Sequence, residues 1–240
     1  MASTSETGHN KNVANFTKAY QILEEMGTLY NPSNLKIALT NLDPVITELG
    51  ETMDVLNKQK PIYKNAVADR EVEIAPLGKL STRSLNFSFS LELSAKDKEN
   101  LNSQVKKIRG DSKLKAINPE TSETDNISTS QMSYDNRIAN FDTYIKQLSS
   151  HTEYIPNEQA IKISTFQTYH QRLTTLSSLV NASGNALITG RKNRDNILYN
   201  SDSNVIQLAK EIKSYLKSLG QDGLPYYKAL VKLKFTDVKN

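Results

Sequence analysis

The chain has 240 residues, with 30 Lys and Arg against 26 Asp and Glu, for a formal charge of +4. The absence of Cys excludes disulfides, thiolate nucleophiles and Cys-ligated zinc or iron–sulfur centres. Hydrophobic residues make up 37% and charged residues 23% with the two signs well mixed, which allows a lean core with much wet surface and argues against a strong field for nucleic acid.

The N-terminal stretch MASTSETGHNKN is polar and lacks the apolar core of a secretory signal. No apolar run approaches the roughly 18–20 residues needed to cross a bilayer. A cytoplasmic location is the default expectation, with export without a cleaved signal as the alternative. Residues 1–11 read as a mobile tail.

From Asn12 to Gly27, Phe16, Tyr20 and Leu23 recur at helical spacing with Ala19 and Met26 beside them. Gly27 is a plausible stop, and YNPSN then offers Asn31 as a cap with Pro32 at the first helical position. Beyond it, Leu35, Leu42, Leu49, Leu56, Tyr63, Arg70 and Leu77 form one row spaced by seven. Leu39, Ile46, Met53, Lys60, Val67 and Ile74 form a second. Together they make an a/d seam of about six heptads. Pro44, Pro61 and Pro76 all fall off the seam, which favours one kinked helix over a break near Pro61. LNFSFSLEL, Leu85 to Leu93, alternates strictly and by itself reads as a strand. Residues 110–131 are rich in Ser, Thr, Asp and Asn and read as a flexible linker.

After the linker much of the pattern recurs. Ala14-Asn15-Phe16 matches Ala139-Asn140-Phe141, Leu23 matches Leu148, and Tyr30-Asn31-Pro32 meets Tyr154-Ile155-Pro156. Leu35-Lys36-Ile37 aligns with Ile161-Lys162-Ile163 after a two-residue insertion, and Leu85, Phe89 and Leu93 fall on Leu208, Ile212 and Leu216. The Asn-Phe pair reads as a buried Phe beside a helix-start Asn. A second seam runs through Phe166, Leu173, Val180, Leu187 and Arg194, with Tyr169, Leu176, Ser183, Gly190 and Ile197 beside it. Val205, Leu208, Ile212, Tyr215 and Leu219 share the face of a shorter helix. Ordered matches at similar spacing point to an internal duplication, with helical repeats over 12–109 and 132–240 packed as one bundle. The helix predicted at Val205 decides the reading of Leu85–Leu93, which is therefore expected to be helical as well. The fold expected is all-α: an elongated bundle of long antiparallel coiled-coil helices. The polar seam residues Lys60, Arg70, Ser183 and Arg194 mark a bundle end or set the register.

No catalytic or metal-binding pattern is present. His9 falls in the tail, His151 at a helix end, and His170 lacks a Glu or His at zinc-helix spacing. Glu24-Glu25 and Glu71/Glu73 read as surface ion-pair partners, and SLGQDG does not open a helix after a strand. Two basic clusters, Lys58, Lys60 and Lys64 on one arm and Arg191, Lys192 and Arg194 on the other, are candidates for contact with phosphate; a solvated helix face is the plainer reading.

The stretches ETGHNKNVANF and SQMSYDNRIANFD resemble those of a family of bacterial helical proteins to which no activity is attached. The resemblance covers most of the chain, implies the duplicated helical build, and transfers no site residue. The expectation is a non-enzymatic structural or interaction protein without cofactor, binding a protein partner or itself, and nothing implies a small-molecule substrate. Two alternatives remain: a membrane-active pore-forming protein, motivated by the alternation in LNFSFSLEL, and a nucleic-acid-binding protein using the basic clusters.

Overall fold

A computed structural model describes residues 4–110 and 133–237. Its α-helices are α1 (Thr4–Glu25), α2 (Leu39–Ile74), α3 (Leu77–Phe89), α4 (Ala95–Arg109), α5 (Tyr134–Ser149), α6 (Ile163–Asp195), α7 (Val205–Ser218) and α8 (Leu224–Val231). No strand occurs among the described residues, so the chain is all-α as expected. Beyond Gly110, the linker expected over 110–131 lies outside the described residues.

The first helix begins at Thr4 rather than near Asn12, and His9, assigned above to a mobile tail, is buried. The helix extends backward because His9 and Asn12 both find hydrogen-bond partners on Tyr199. Asn15 and Asn140 consequently sit inside helices instead of starting them, while Phe16 and Phe141 are buried.

α2 runs for 36 residues through both Pro44 and Pro61, and α6 for 33. An internal proline costs about 3 kcal/mol, and burial on either side of Pro61, of Leu56 in the seam and of Ala66 beside it, offsets it. Pro76 cannot be crossed in the same way. α2 stops at Ile74, and the Pro76 carbonyl instead accepts from Leu80 N–H to open α3.

Between α1 and α2 the Tyr30 hydroxyl donates to the Ile37 carbonyl at 2.6 Å; between α5 and α6 the Tyr154 hydroxyl donates to the Ile161 carbonyl at 2.8 Å. Each bond closes the same short loop ahead of a long helix. Ile37 therefore corresponds to Ile161, and the two-residue insertion inferred from sequence is not needed. Asn34, not Asn31, caps the single 3-10 turn Leu35–Ile37, accepting from Lys36 N–H at 3.1 Å. Pro32 lies buried in the loop instead of opening a helix.

LNFSFSLEL is helical as far as Phe89, with Leu91 to Leu93 beyond the helix end. The buried positions of α3 are Leu77, Ser81, Ser84, Leu85 and Ser88; those of α7 are Val205, Leu208, Ala209, Ile212 and Leu216. Ser81, Ser84, Leu85 and Ser88 thus stand where Val205, Leu208, Ala209 and Ile212 stand, one place away from the match expected at Leu85 and Leu208. Serines occupy the core face of α3 because Ser84 lies between the hydroxyls of Tyr144 and Tyr154, at 3.0 and 2.6 Å.

Packing divides the chain into two units that cross the repeat boundary. The first comprises residues up to Pro61 and from Asn185 onward. It holds α1 and the front of α2 with the end of α6, α7 and α8, around Phe16, Leu23, Leu42, Leu49, Leu208 and Ile212. The second, Ile62–Gly184, holds the end of α2, α3 and α4 with α5 and the front of α6, around Leu77, Leu101, Val105, Phe141, Phe166 and Leu173. Each unit thus joins the leading helices of one repeat to the trailing helices of the other. In the first, α8 lies against α1; in the second, α4 lies against α5.

Within the second unit the long helices run antiparallel: Tyr63 lies over Gly184, Arg70 meets Ser177, and the Tyr169 hydroxyl donates to the Glu73 carbonyl at 2.5 Å. In the first unit Gly190 is pressed by Leu56, whose Cδ2 would lie 2.8 Å from a Cβ placed there. Gly50, midway along an exposed face of α2, has nothing within 4 Å. Gly50→Ala should therefore stabilise the protein by about 0.5–1 kcal/mol through helix propensity alone. Gly190→Val should cost about 1–3 kcal/mol by overpacking. Urea denaturation of both variants checks the opposite signs.

The buried phenols add a pH dependence. Burial, more than the nearby Glu73 charge, pushes Tyr169 up to about 12, and burial likewise raises Tyr30, Tyr144 and Tyr154. The folded chain holds these protons more tightly than the unfolded chain, whose phenols titrate near 10. The associated stability is complete below about pH 10 and drains as the pH climbs towards about 12. Melting curves between pH 8 and pH 12 should show this fall, with a smaller fall for Tyr169→Phe.

Candidate functional site

The α6 row Phe166, Leu173, Val180, Leu187 and Arg194 is buried along its length. Its last member brings a guanidinium, 2% exposed, into the first unit. Arg194 Nε donates to Asp195 Oδ1 at 2.9 Å, and a terminal nitrogen reaches the same oxygen at 2.8 Å. His9 Nδ1 stands 3.8 Å from that oxygen and 2.8 Å from the Tyr199 hydroxyl. Asn12 Nδ2 donates to Tyr199 at 3.0 Å and to the Thr236 carbonyl at 2.7 Å, while its Oδ1 accepts from Thr236 N–H at 3.0 Å. Burial pushes the Tyr199 phenol above its ordinary range, against the pull of the Asn12 hydrogen bond and the Arg194 charge.

This network joins α1, the end of α6 and the chain after α8. It sits where α6 gives way to a π-turn over Asn196–Asn200, a local widening that inserts an extra residue per turn. Its chemistry is that of a satisfied polar junction: the cation has its carboxylate, and the hydroxyl has a ring nitrogen and an amide.

Arg70 occupies the corresponding seam place in α2, in the second unit. It is half-buried, with its guanidinium carbon 4.4 Å from the centre of the Tyr134 ring and one nitrogen 3.5 Å from Ser177 Oγ. Ser177 in turn donates to Asp135. Arg70 thus faces the first turn of α5, while Arg194 shares the Asp195 carboxylate with His9 of α1.

The six basic residues singled out from sequence are placed unequally. Lys58, Lys64, Arg191 and Lys192 are exposed, Lys60 is half-buried, and Arg194 is buried against Asp195. Arg194 leaves α6 towards the core while Arg191 and Lys192 leave it towards water, so these three do not present one surface. Lys64 belongs to the second unit and the other five to the first. His151 follows the end of α5, and His170 lies beside the Phe141 ring. Glu73 pairs with Arg172 at 2.9 Å.

Sequence reasoning placed Arg194 and Arg70 in the seam but missed their partners. His9, Asn12 and Tyr199 carry no shared spacing, being brought together from opposite ends of the chain. Among the described residues no group of three or more His, Asp or Glu is placed to hold a metal ion, and no helix is long and apolar enough to cross a membrane.

No family model matches this chain, and neither a curated protein nor a solved structure is significantly similar to it.

Removing one partner of a buried ion pair leaves an uncompensated charge, which costs roughly 3–5 kcal/mol. Asp195→Ala is expected to destabilise the protein on that scale, and Lys192→Ala, on the exposed side of the same helix, by no more than about 0.5 kcal/mol. Urea denaturation at neutral pH measures both.

Proposed function

We propose that this is a non-enzymatic structural or interaction protein. It presents the outer faces of a duplicated pair of long coiled-coil helices to a protein partner or to a second copy of itself. The observation that carries this reading is the set of aliphatic side chains directed away from the seam. On α2 these are Val55, Ile62 and Val72; on α6 they are Leu179 and Ile188, with Val72 the most open at 75% exposed. Isolated exposed aliphatics are ordinary. Their recurrence on both long helices, outside the rows that build the cores, supports an outward binding role. Two of the polar groups buried in the units pair with neighbours in the same unit, Arg194 with Asp195 and Ser84 with Tyr144.

The membrane-active alternative loses its motive, since the alternating stretch is helical as far as Phe89 and Ser88 is turned inward. A location away from membranes, by default the cytoplasm, accords with this proposal.

Sedimentation velocity over a wide range of protein concentration, together with affinity capture from the source cells, tests the reading. Self-association or a stoichiometric partner is expected, weakened about tenfold or more in a Val72→Ser, Ile188→Ser double variant whose melting temperature is unchanged. A chain that stays monomeric and captures nothing, or binding untouched by the double change, would overturn it.

A further inference from the structure

The second unit carries a basic feature that the sequence did not single out. An open concavity of about 670 Å³ is lined by Gly78, Lys79, Thr82, Arg83 and Asn86 of α3, Arg109 of α4, Arg137 of α5, and Ala75. Four of these side chains are cationic, drawn from three helices, and no carboxylate is among the described lining residues. Lys79 and Arg83 are exposed and have no ion-pair partner among the described residues.

Three details show how the packing shapes this groove. Arg137 is half-buried, and its Nε donates to the Ile108 carbonyl at 2.8 Å. That carbonyl lies in the last turn of α4, where backbone acceptors lack partners within the helix. The bond fixes the guanidinium at the groove wall and leaves its two terminal nitrogens for another acceptor. Opposite, a Cβ at position 78 would lie 3.4 Å from Arg109 Cγ, so glycine lets the arginine stem lie close against α3. The Thr82 hydroxyl donates to the Gly78 carbonyl at 2.8 Å, so its proton is held within α3 and the cations are the donors of the groove.

Like charges gathered in one concavity repel unless an anion joins them. Guanidinium groups match the tetrahedral oxygens of phosphate through paired N–H donors, more closely than they match a diffuse negative surface. A volume of about 670 Å³ with cations contributed by three helices suits a ligand with more than one phosphoryl group.

We infer that the groove between α3, α4 and α5 is a binding site for a phosphate-bearing polyanion, with Lys79, Arg83 and Arg137 as its principal contacts and the Arg109 stem as its wall. The source of the phosphoryl groups is either a small soluble molecule or a phosphodiester backbone. This site is separate from the apolar helix faces on which the proposed function rests.

Isothermal titration of the full chain with pyrophosphate, and with citrate at the same ionic strength, tests it. Pyrophosphate is expected to bind and citrate to bind about tenfold or more weakly. A Lys79→Ala, Arg83→Ala double variant changes two exposed residues, so its melting temperature should be unaltered while pyrophosphate affinity falls about tenfold or more. A Lys58→Ala, Lys192→Ala variant should bind as the original protein does. A short DNA duplex is the second arm. Competition with pyrophosphate and a steep loss of affinity with salt would assign the source to a nucleic-acid backbone; no competition would assign it to a small molecule. Absence of pyrophosphate binding, equal binding of citrate, or equal affinity in the Lys79/Arg83 variant overturns the proposal.

Discussion

A helix with one apolar stripe is stable in water only where something else covers that stripe. α2 and α6 each carry such a stripe, and neither unit covers it with helices from one repeat alone. In the first unit Leu42 and Leu49 of the first repeat share a core with Leu208, Ile212 and Leu216 of the second. In the second unit Leu77 and Leu85 share one with Phe141, Phe166 and Leu173. One chain supplies both partners at once, and the reciprocal arrangement gives each unit helices from before and from after residues 111–132. The tolerance of Pro61 inside α2 follows from the same burial, because the seam on both sides outweighs a lost hydrogen bond.

The loops that feed the long helices show how closely the two halves share a plan. Tyr30 and Tyr154 each reach seven residues ahead to a backbone carbonyl, at Ile37 and Ile161. Each tyrosine then meets another ring edge-on: Tyr215 lies 5.4 Å from Tyr30, and Phe87 lies 5.3 Å from Tyr154. The second ring comes in both cases from the trailing helices of the other repeat. A tight hydroxyl-to-carbonyl bond and an aromatic edge contact therefore set the same corner in both units.

The halves differ where polar groups enter the cores. In the first unit, the buried junction links Arg194 to Asp195 and His9 to Tyr199 and Asn12. In the second, Arg70 rests on Tyr134, and Ser84 stands between two tyrosine hydroxyls. Such groups are costly when unpaired and nearly neutral when paired, so each half has kept its own matched set. The divergence also separates their surfaces. The groove holding Lys79, Arg83 and Arg137 belongs to the second unit, and the places matched by burial to its α3 cations carry no basic residue: Ser203 stands just before α7 and Gln207 within it.

Periodicity alone determined the helical class and the long continuous arms, because seam side chains such as Leu42, Leu49, Leu173 and Leu187 mark every second turn of the chain. The helical reading of Leu85–Leu93 depended on comparing the two halves, since serines on a buried face look like the solvent side of a strand. Only tertiary structure decided that Ser84 faces tyrosines, that His9 is inside, and that Arg194 is held by its neighbour while Arg191 and Lys192 face water. Partners such as His9 and Tyr199 lie at opposite ends of the sequence, and the groove gathers its cations from three helices. Local spacing carries the direction of a side chain around its own helix; which helix lies opposite is set by packing across the whole chain.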